Sequence, residues 1–473
     1  MNEGGLASAP EAYSPRRRTA LVLTGTGTAG AYHAGALRAL HEAGVKIDVV
    51  AGRGVGAIGA VFAAVDGAHR LWDDKGFWRA NAVAGFYPWR RTLKLVAWTL
   101  ALSLGLVAAP LLAMAAGLVV FPIDFVLKMV GGVGAGGLTA WYVRLVEAAF
   151  SPQGLPTWLP RLVVLVLGAV SFAAAIAGYR VSRGGRLRGA FWWRLVPGPL
   201  SAGPAIDLCW AVLWDLVRGA TGLKQPGRAD LARRYVELLS ENLGQPGFRE
   251  LVLVAHDVDA GRDLVFALVG ETRRRDLVRR QRVEDANARR AEVFDLAGVS
   301  RDHLSDAVAA ALTVPLASEY HVIQFAPDAH WRGERHRLSD RTGALVRIVE
   351  ELTALDVQQI VLVTGAPDGA GPHALASSRL DGRGRMGAYL QSSEAATVRD
   401  VSAEGRGSGP RIYTVRPSHN PFGPFDFAGG YDDRSIRRPA LAELMALGYE
   451  DAYRQFIEPV VGASGEHVGQ AAF

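Results

Sequence analysis

Two short apolar runs, each followed by a glycine-rich turn and a small-residue helix, open the chain. Residues 20–23 (Ala-Leu-Val-Leu) read as a buried strand, and Gly25-Thr26-Gly27-Thr28-Ala29-Gly30 reads as a tight turn. The stretch carrying His33 and Leu37 predicts a helix. A second strand is expected over residues 47–50, running into Gly52-Arg53-Gly54-Val55-Gly56 and another small-residue helix. Consecutive strand–turn–helix units predict an α/β sheet whose site lies outside the carboxyl ends of the strands.

The pattern then changes. Residues 95–123 contain no charged side chain, a length that crosses a bilayer core of about 30 Å with tilt, and Pro110 is placed to kink it. Residues 162–179 form a second uncharged stretch. Arg90, Arg91 and Lys94 precede the first; Arg180, Arg183, Arg186, Arg188 and Arg194 follow the second. The positive-inside rule puts both outer flanks in the cytoplasm, so a two-span hairpin is expected, with the soluble domain on that side. Tyr87, Trp89, Trp192 and Trp193 stand where interfacial aromatics belong, and the glycines of 131–137 read as a link.

From Asp230 the α/β pattern returns: a helix over 231–243, strands at 251–255 and 264–266 around the Asp259-Ala260-Gly261-Arg262 turn, and a strand at 360–363. Residues 364–410, rich in Gly, Ala, Ser and Pro, are expected to form a long loop. A closing strand near Tyr413 and a helix over 440–456 finish the pattern. Residues 1–18 and 461–473 read as disordered tails, and no secretory signal precedes the first strand.

Composition changes this picture in three places. Of 473 residues 49% are hydrophobic, and the excess sits in the uncharged stretches. The single cysteine, Cys209, lies in an apolar run, excludes an internal disulfide and reads as a packed thiol. The segment 273–290, with Arg273 and Arg290 at its ends, carries eight arginines among acidic neighbours. A solvated helical face is its default reading, and contact with anionic lipid headgroups the sharper one. Nucleic acid is not expected, because the basic residues are not interleaved with aromatics and no DNA-binding motif is present.

The chemistry rests on the two turns. A glycine turn opening a helix aims backbone N–H groups at one point, which suits a phosphate or an oxyanion. A dinucleotide site also wants an acidic residue at the end of the second strand, whereas Asp48 stands at its start, so neither NAD nor any other cofactor is expected, and no metal. A strand bending sharply through G-x-S-x-G into a helix is a hydrolase nucleophile elbow. Here the elbow keeps Gly52 and Gly56 but has Gly54 at the nucleophile position.

The pair of turns resembles the patatin-like phospholipases, lipid acyl hydrolases with a Ser/Asp dyad. Gly25, Gly27 and Gly30 match the family's oxyanion turn; Thr26 and Ala29 depart from its Gly and Arg, and Gly54 departs from its Ser. The resemblance implies a three-layer α/β/α sandwich, with an oxyanion hole at Gly25, Thr26, Gly27 and Thr28. It implies Asp340 as the dyad Asp, although Arg341 and Thr342 replace the family's following glycines. Asp368, in a literal Asp-Gly-Ala, is the alternative. The expected organisation is a patatin-like core over 19–85 and 205–460, with a transmembrane hairpin inserted at 86–204.

The functional expectation is a membrane-anchored, catalytically impaired relative that acts as a lipid- or acyl-binding or regulatory module. The alternative is a working esterase or phospholipase with a non-standard nucleophile, for which Thr26 and Thr28 are the candidates. A weaker third reading is nucleotide binding at the first turn. The intact elbow glycines further predict that Gly54→Ser restores esterase activity.

Overall fold

The computed structural model describes residues 13–131, 137–183, 198–219, 224–279, 288–367, 382–404, 409–418, 423–427 and 441–462. The chain divides into two compact units: Met1–Pro88 with Leu200–Phe473, and Trp89–Pro199.

The first unit is an α/β domain on a mixed sheet. Strand β1 (Thr19–Thr24) leads to α1 (Ala29–Glu42), and β2 (Val49–Gly52) to α2 (Gly56–Ala64). Every residue of β1 and β2 is buried. Leu21 and Leu23 join one apolar cluster while Ala20 and Val22 join the other, so the strand is covered on both faces.

The second unit holds α3 (Arg91–Val107), α4 (Ala109–Gly131), α5 (Leu138–Ala149) and α6 (Leu155–Arg183). The expected single stretch 95–123 is thus divided at Ala108, where Pro110 has no N–H to continue the ladder. Helix α5 packs on α4, and α6 on α3. Asp124 of α4 accepts the Leu138 N–H at 3.1 Å and the Thr139 hydroxyl at 2.7 Å, capping α5. Large apolar side chains face outward, among them Leu118 at 78% and Val130 at 84% exposure. Among the described residues one helix, Ala109–Gly131, is long and apolar enough to cross a membrane. Arg186, Arg188, Trp192, Trp193 and Arg194 lie outside the described residues.

The chain then continues through α7 (Gly203–Val217), α8 (Arg228–Asn242), β3 (Glu250–Asp257), β4 (Arg262–Leu268), α9 (Glu271–Arg279), α10 (Ala288–Glu292), β5 (Val293–Asp295) and α11 (Leu304–Ala311). Strands β6 (His321–Gln324) and β7 (Arg335–Ser339) precede α12 (Ala344–Ala354) and β8 (Gln359–Thr364). Helix α13 (Gly382–Glu404), β9 (Arg411–Val415), α14 (Leu441–Ala452) and a π-helix (Tyr453–Val461) complete it. The sheet order is β5-β4-β3-β2-β1-β8-β9. Strand β3 pairs with β2 over its first half and, beyond the end of β2, with β7.

Three expectations are corrected. Tyr87 is not an interfacial aromatic but is buried within the first unit. Residues 364–410 are not a long loop, since α13 occupies 382–404. Leu390, Glu394, Val398 and Val401 recur at helical spacing and are all buried, a stripe masked by the surrounding Gly, Ala and Ser. The first tail is shorter than 1–18, because Tyr13 is buried and donates its hydroxyl to the Lys46 carbonyl at 3.1 Å.

Candidate active site

Because β1 and β2 are adjacent and parallel, their two turns leave the sheet side by side. The elbow follows directly from β2: Gly52 ends the strand, Gly54 takes φ +55°, and Gly56 begins α2. That φ is the left-handed conformation in which side-chain-bearing residues are strained. A Cβ placed on Gly54 would overlap the Gly25 carbonyl oxygen and lie 3.0 Å from Asp340 Oδ2. The same Gly25 oxygen accepts the Val55 N–H at 3.0 Å. A carbonyl therefore fills the space beside the elbow.

Asp340 reaches the site because β7 runs along the edge of β3 just past β2, and Asp340 follows its last residue. Its N–H is donated to the Thr313 carbonyl at 2.9 Å. Its carboxylate is engaged by Arg53, whose Nη1 lies 2.9 Å from Oδ1 and 2.7 Å from Oδ2. Arg53 also contacts Glu394 of α13, which accepts the Thr24 hydroxyl at 2.6 Å. Arg53 has no exposed surface, and both carboxylates are buried. One cation thus holds two anions in the core, an arrangement costly to break from either side.

Neighbouring titratable groups are held neutral. His33 lies beneath the first turn with Nε2 3.0 Å from the Thr24 carbonyl, so the neutral ring donates there. Burial, reinforced by the charge of Arg53, pushes it down to about 4 against the pull of that hydrogen bond. Tyr87 donates its hydroxyl to the Leu312 carbonyl at 2.8 Å; burial first, then the Asp340 charge, raise its phenol above the ordinary range.

The first turn is closed from outside by the segment 423–427. Thr28 gives its N–H to the Pro424 carbonyl and its hydroxyl to the Gly423 carbonyl, each at 3.1 Å. Gly27, at φ +60°, has Pro424 where a Cβ would stand. Phe425 and Phe427 anchor the segment against Tyr87, with ring centroids 5.6 and 6.0 Å away. The cavity left beside the turn, lined by Thr26, Tyr32, Gln391, Glu394 and Pro424, measures about 30 Å³. That is room for about two waters.

The structure thus brings together Gly25, Thr26, Gly27, Thr28, Gly52, Gly54, Gly56 and Asp340. Asp368 lies outside the described residues. Sequence reasoning missed Arg53, Glu394 and Pro424. Arg53 alone carried a signal, a long cation in a turn whose neighbours are all small.

The family model described as Patatin-like phospholipase matches residues 21–107, the span that includes both turns. Residues 21–107 are similar to the patatin-like phospholipases. In this patatin-like segment the departure at Gly54 falls at the elbow itself. No curated protein matches the chain. Among solved structures, VipD from Legionella pneumophila is 11% identical, with a TM-score of 0.33, over 95% of this chain and 67% of that one.

Proposed function

We propose that this protein is a membrane-anchored, patatin-like module that does not hydrolyse lipid. The observation that carries the reading is the Gly25 carbonyl at the elbow. A hydrolase needs an attacking oxygen at residue 54, a carboxylate to orient and deprotonate it, and N–H donors facing the developing oxyanion. Here residue 54 has no side chain, Arg53 engages Asp340, and the Thr28 N–H is given to Pro424. Thr28 is a poor substitute nucleophile because its hydroxyl is donated to Gly423.

Lipid contact is assigned to residues 89–199 rather than to the small cavity. The outward apolar side chains of α4 support that part, as do Arg90, Arg91 and Lys94 before the helices and Arg180 and Arg183 at the end of α6. In this reading the helices form a membrane hairpin inserted into a three-layer α/β/α core on the cytoplasmic side.

Two measurements test the proposal. The full chain, incubated with a short-chain p-nitrophenyl ester and with phosphatidylcholine vesicles, is expected to release product at the rate of buffer alone. It is also expected to float with vesicles, and Leu118→Arg with Val119→Arg is expected to abolish flotation. Fatty-acid release that disappears in Asp340→Ala, or undiminished flotation of the double variant, overturns the corresponding half.

A further inference from the structure

Strand β7, which delivers Asp340, is pinned at its other end by a histidine between two carboxylates. His336 is buried, with Nδ1 2.5 Å from Asp257 Oδ2 and Nε2 3.3 Å from Glu334 Oε2. A carboxylate is acceptor-only, so both contacts are satisfied only when both ring nitrogens carry protons. A neutral ring turns one lone pair toward a negative oxygen.

We propose that the β6–β7 arm is a proton-operated clamp, locked when His336 is an imidazolium between Asp257 and Glu334 and loosened when it loses a proton.

The surroundings make the imidazolium the pivot. Phe325 stands edge-on to the ring at 5.0 Å and Trp331 at 4.5 Å, keeping water away from one side. Within β7, Arg337 is drawn off by Asp259, with Nε–Oδ1 3.0 Å, and Arg335 by Gln324. On β3 and β4, His256 binds Asp263 at 2.8 Å, and Asp263 is also held by Arg341. Behind Phe325, Asp306 of α11 accepts from His303 at 2.9 Å and from His321 at 2.7 Å. Those two histidines meet one carboxylate through one nitrogen each, an arrangement that neutral rings satisfy. Among the described residues, His336 alone has a carboxylate on both ring nitrogens.

The direction of the pH effect follows. Burial opposes the charge of His336, but its hydrogen bonds to Asp257 and Glu334 outweigh burial and raise its pKa above the ordinary histidine value. A raised folded-state pKa means that the clamp's contribution is complete below the unfolded value and is lost as pH rises through the folded one. On the acid side, burial raises the Asp306 pKa but its two histidine bonds lower it further, so that second tether holds until well below the histidine range.

Amide hydrogen exchange of the full chain in nanodiscs, corrected for the intrinsic rate at each pH, reads the clamp directly. Protection over residues 321–339 is expected to fall between pH 6 and pH 9, by about tenfold for each unit by which folding raises the His336 pKa. His336→Gln is expected to show low protection in the arm with no step. Glu334→Gln, which keeps the Asp257 contact, is expected to move the step to lower pH. Flat protection in the unaltered protein, a step that survives in His336→Gln, or an unmoved step in Glu334→Gln overturns the proposal. Glu334 is largely exposed, so the last arm remains decisive if His336→Gln does not fold.

Discussion

The carbonyl oxygen of Gly25 accepts the N–H of Val55 at 3.0 Å, tying the first turn to the elbow through backbone alone. This bond accounts for the glycine at position 54, because the oxygen it holds occupies the space a side chain there would need.

Gly54→Ser is therefore expected to leave esterase activity at background, contrary to what the elbow glycines suggest. The serine takes a left-handed φ, costing about 1–2 kcal/mol, and its Cβ displaces the Gly25 carbonyl. Urea unfolding should show a lowered midpoint, and p-nitrophenyl butyrate should show no turnover. Activity with undiminished stability would mean that the turn swings away freely.

Arg53→Met removes the cation between Asp340 and Glu394 and is expected to destabilise the protein by about 3–5 kcal/mol. Adding Asp340→Asn and Glu394→Gln is expected to recover part of the loss, since no buried anion is then left unpaired. Denaturant midpoints of the single and triple variants check this.

The ends of the helical insertion meet within the α/β unit, where Ser201 donates its N–H to the Pro88 carbonyl at 3.1 Å. Replacing residues 89–199 by a short glycine linker is expected to give a folded, vesicle-independent protein. Far-UV circular dichroism and a cooperative thermal transition report the outcome. An aggregated product would assign the insertion a part in core stability.

Acid should weaken the core through His33. Its folded-state pKa of about 4 lies below the ordinary 6.5, so the unfolded chain binds the extra proton first. Stability is then complete above pH 6.5 and falls by roughly 3 kcal/mol as pH drops to 4. Unfolding at stepped pH measures the slope, which His33→Gln is expected to flatten.

The opening third of the α/β unit was legible because its pattern is local. Two apolar strands, two glycine turns and two small-residue helices each fit within a few turns of chain, whereas Asp340 was named from the family resemblance and the strand that delivers it was not foreseen. Arg53, Glu394 and Pro424 were not legible as a set. Their contacts join positions hundreds of residues apart, and no local periodicity encodes which buried cation meets which anion. The Glu394 helix was further hidden by composition, whereas the division at Ala108 falls where Pro110 predicts a kink.

The place of β1 in the sheet has a consequence for synthesis. Its two neighbours are β2, made at once, and β8, which begins only at Gln359. At roughly 5–20 residues per second on the ribosome, the helices of 89–199 are out many seconds before β8 exists. The nascent chain must therefore carry an unfinished sheet while its most oil-soluble segment is already seeking a home.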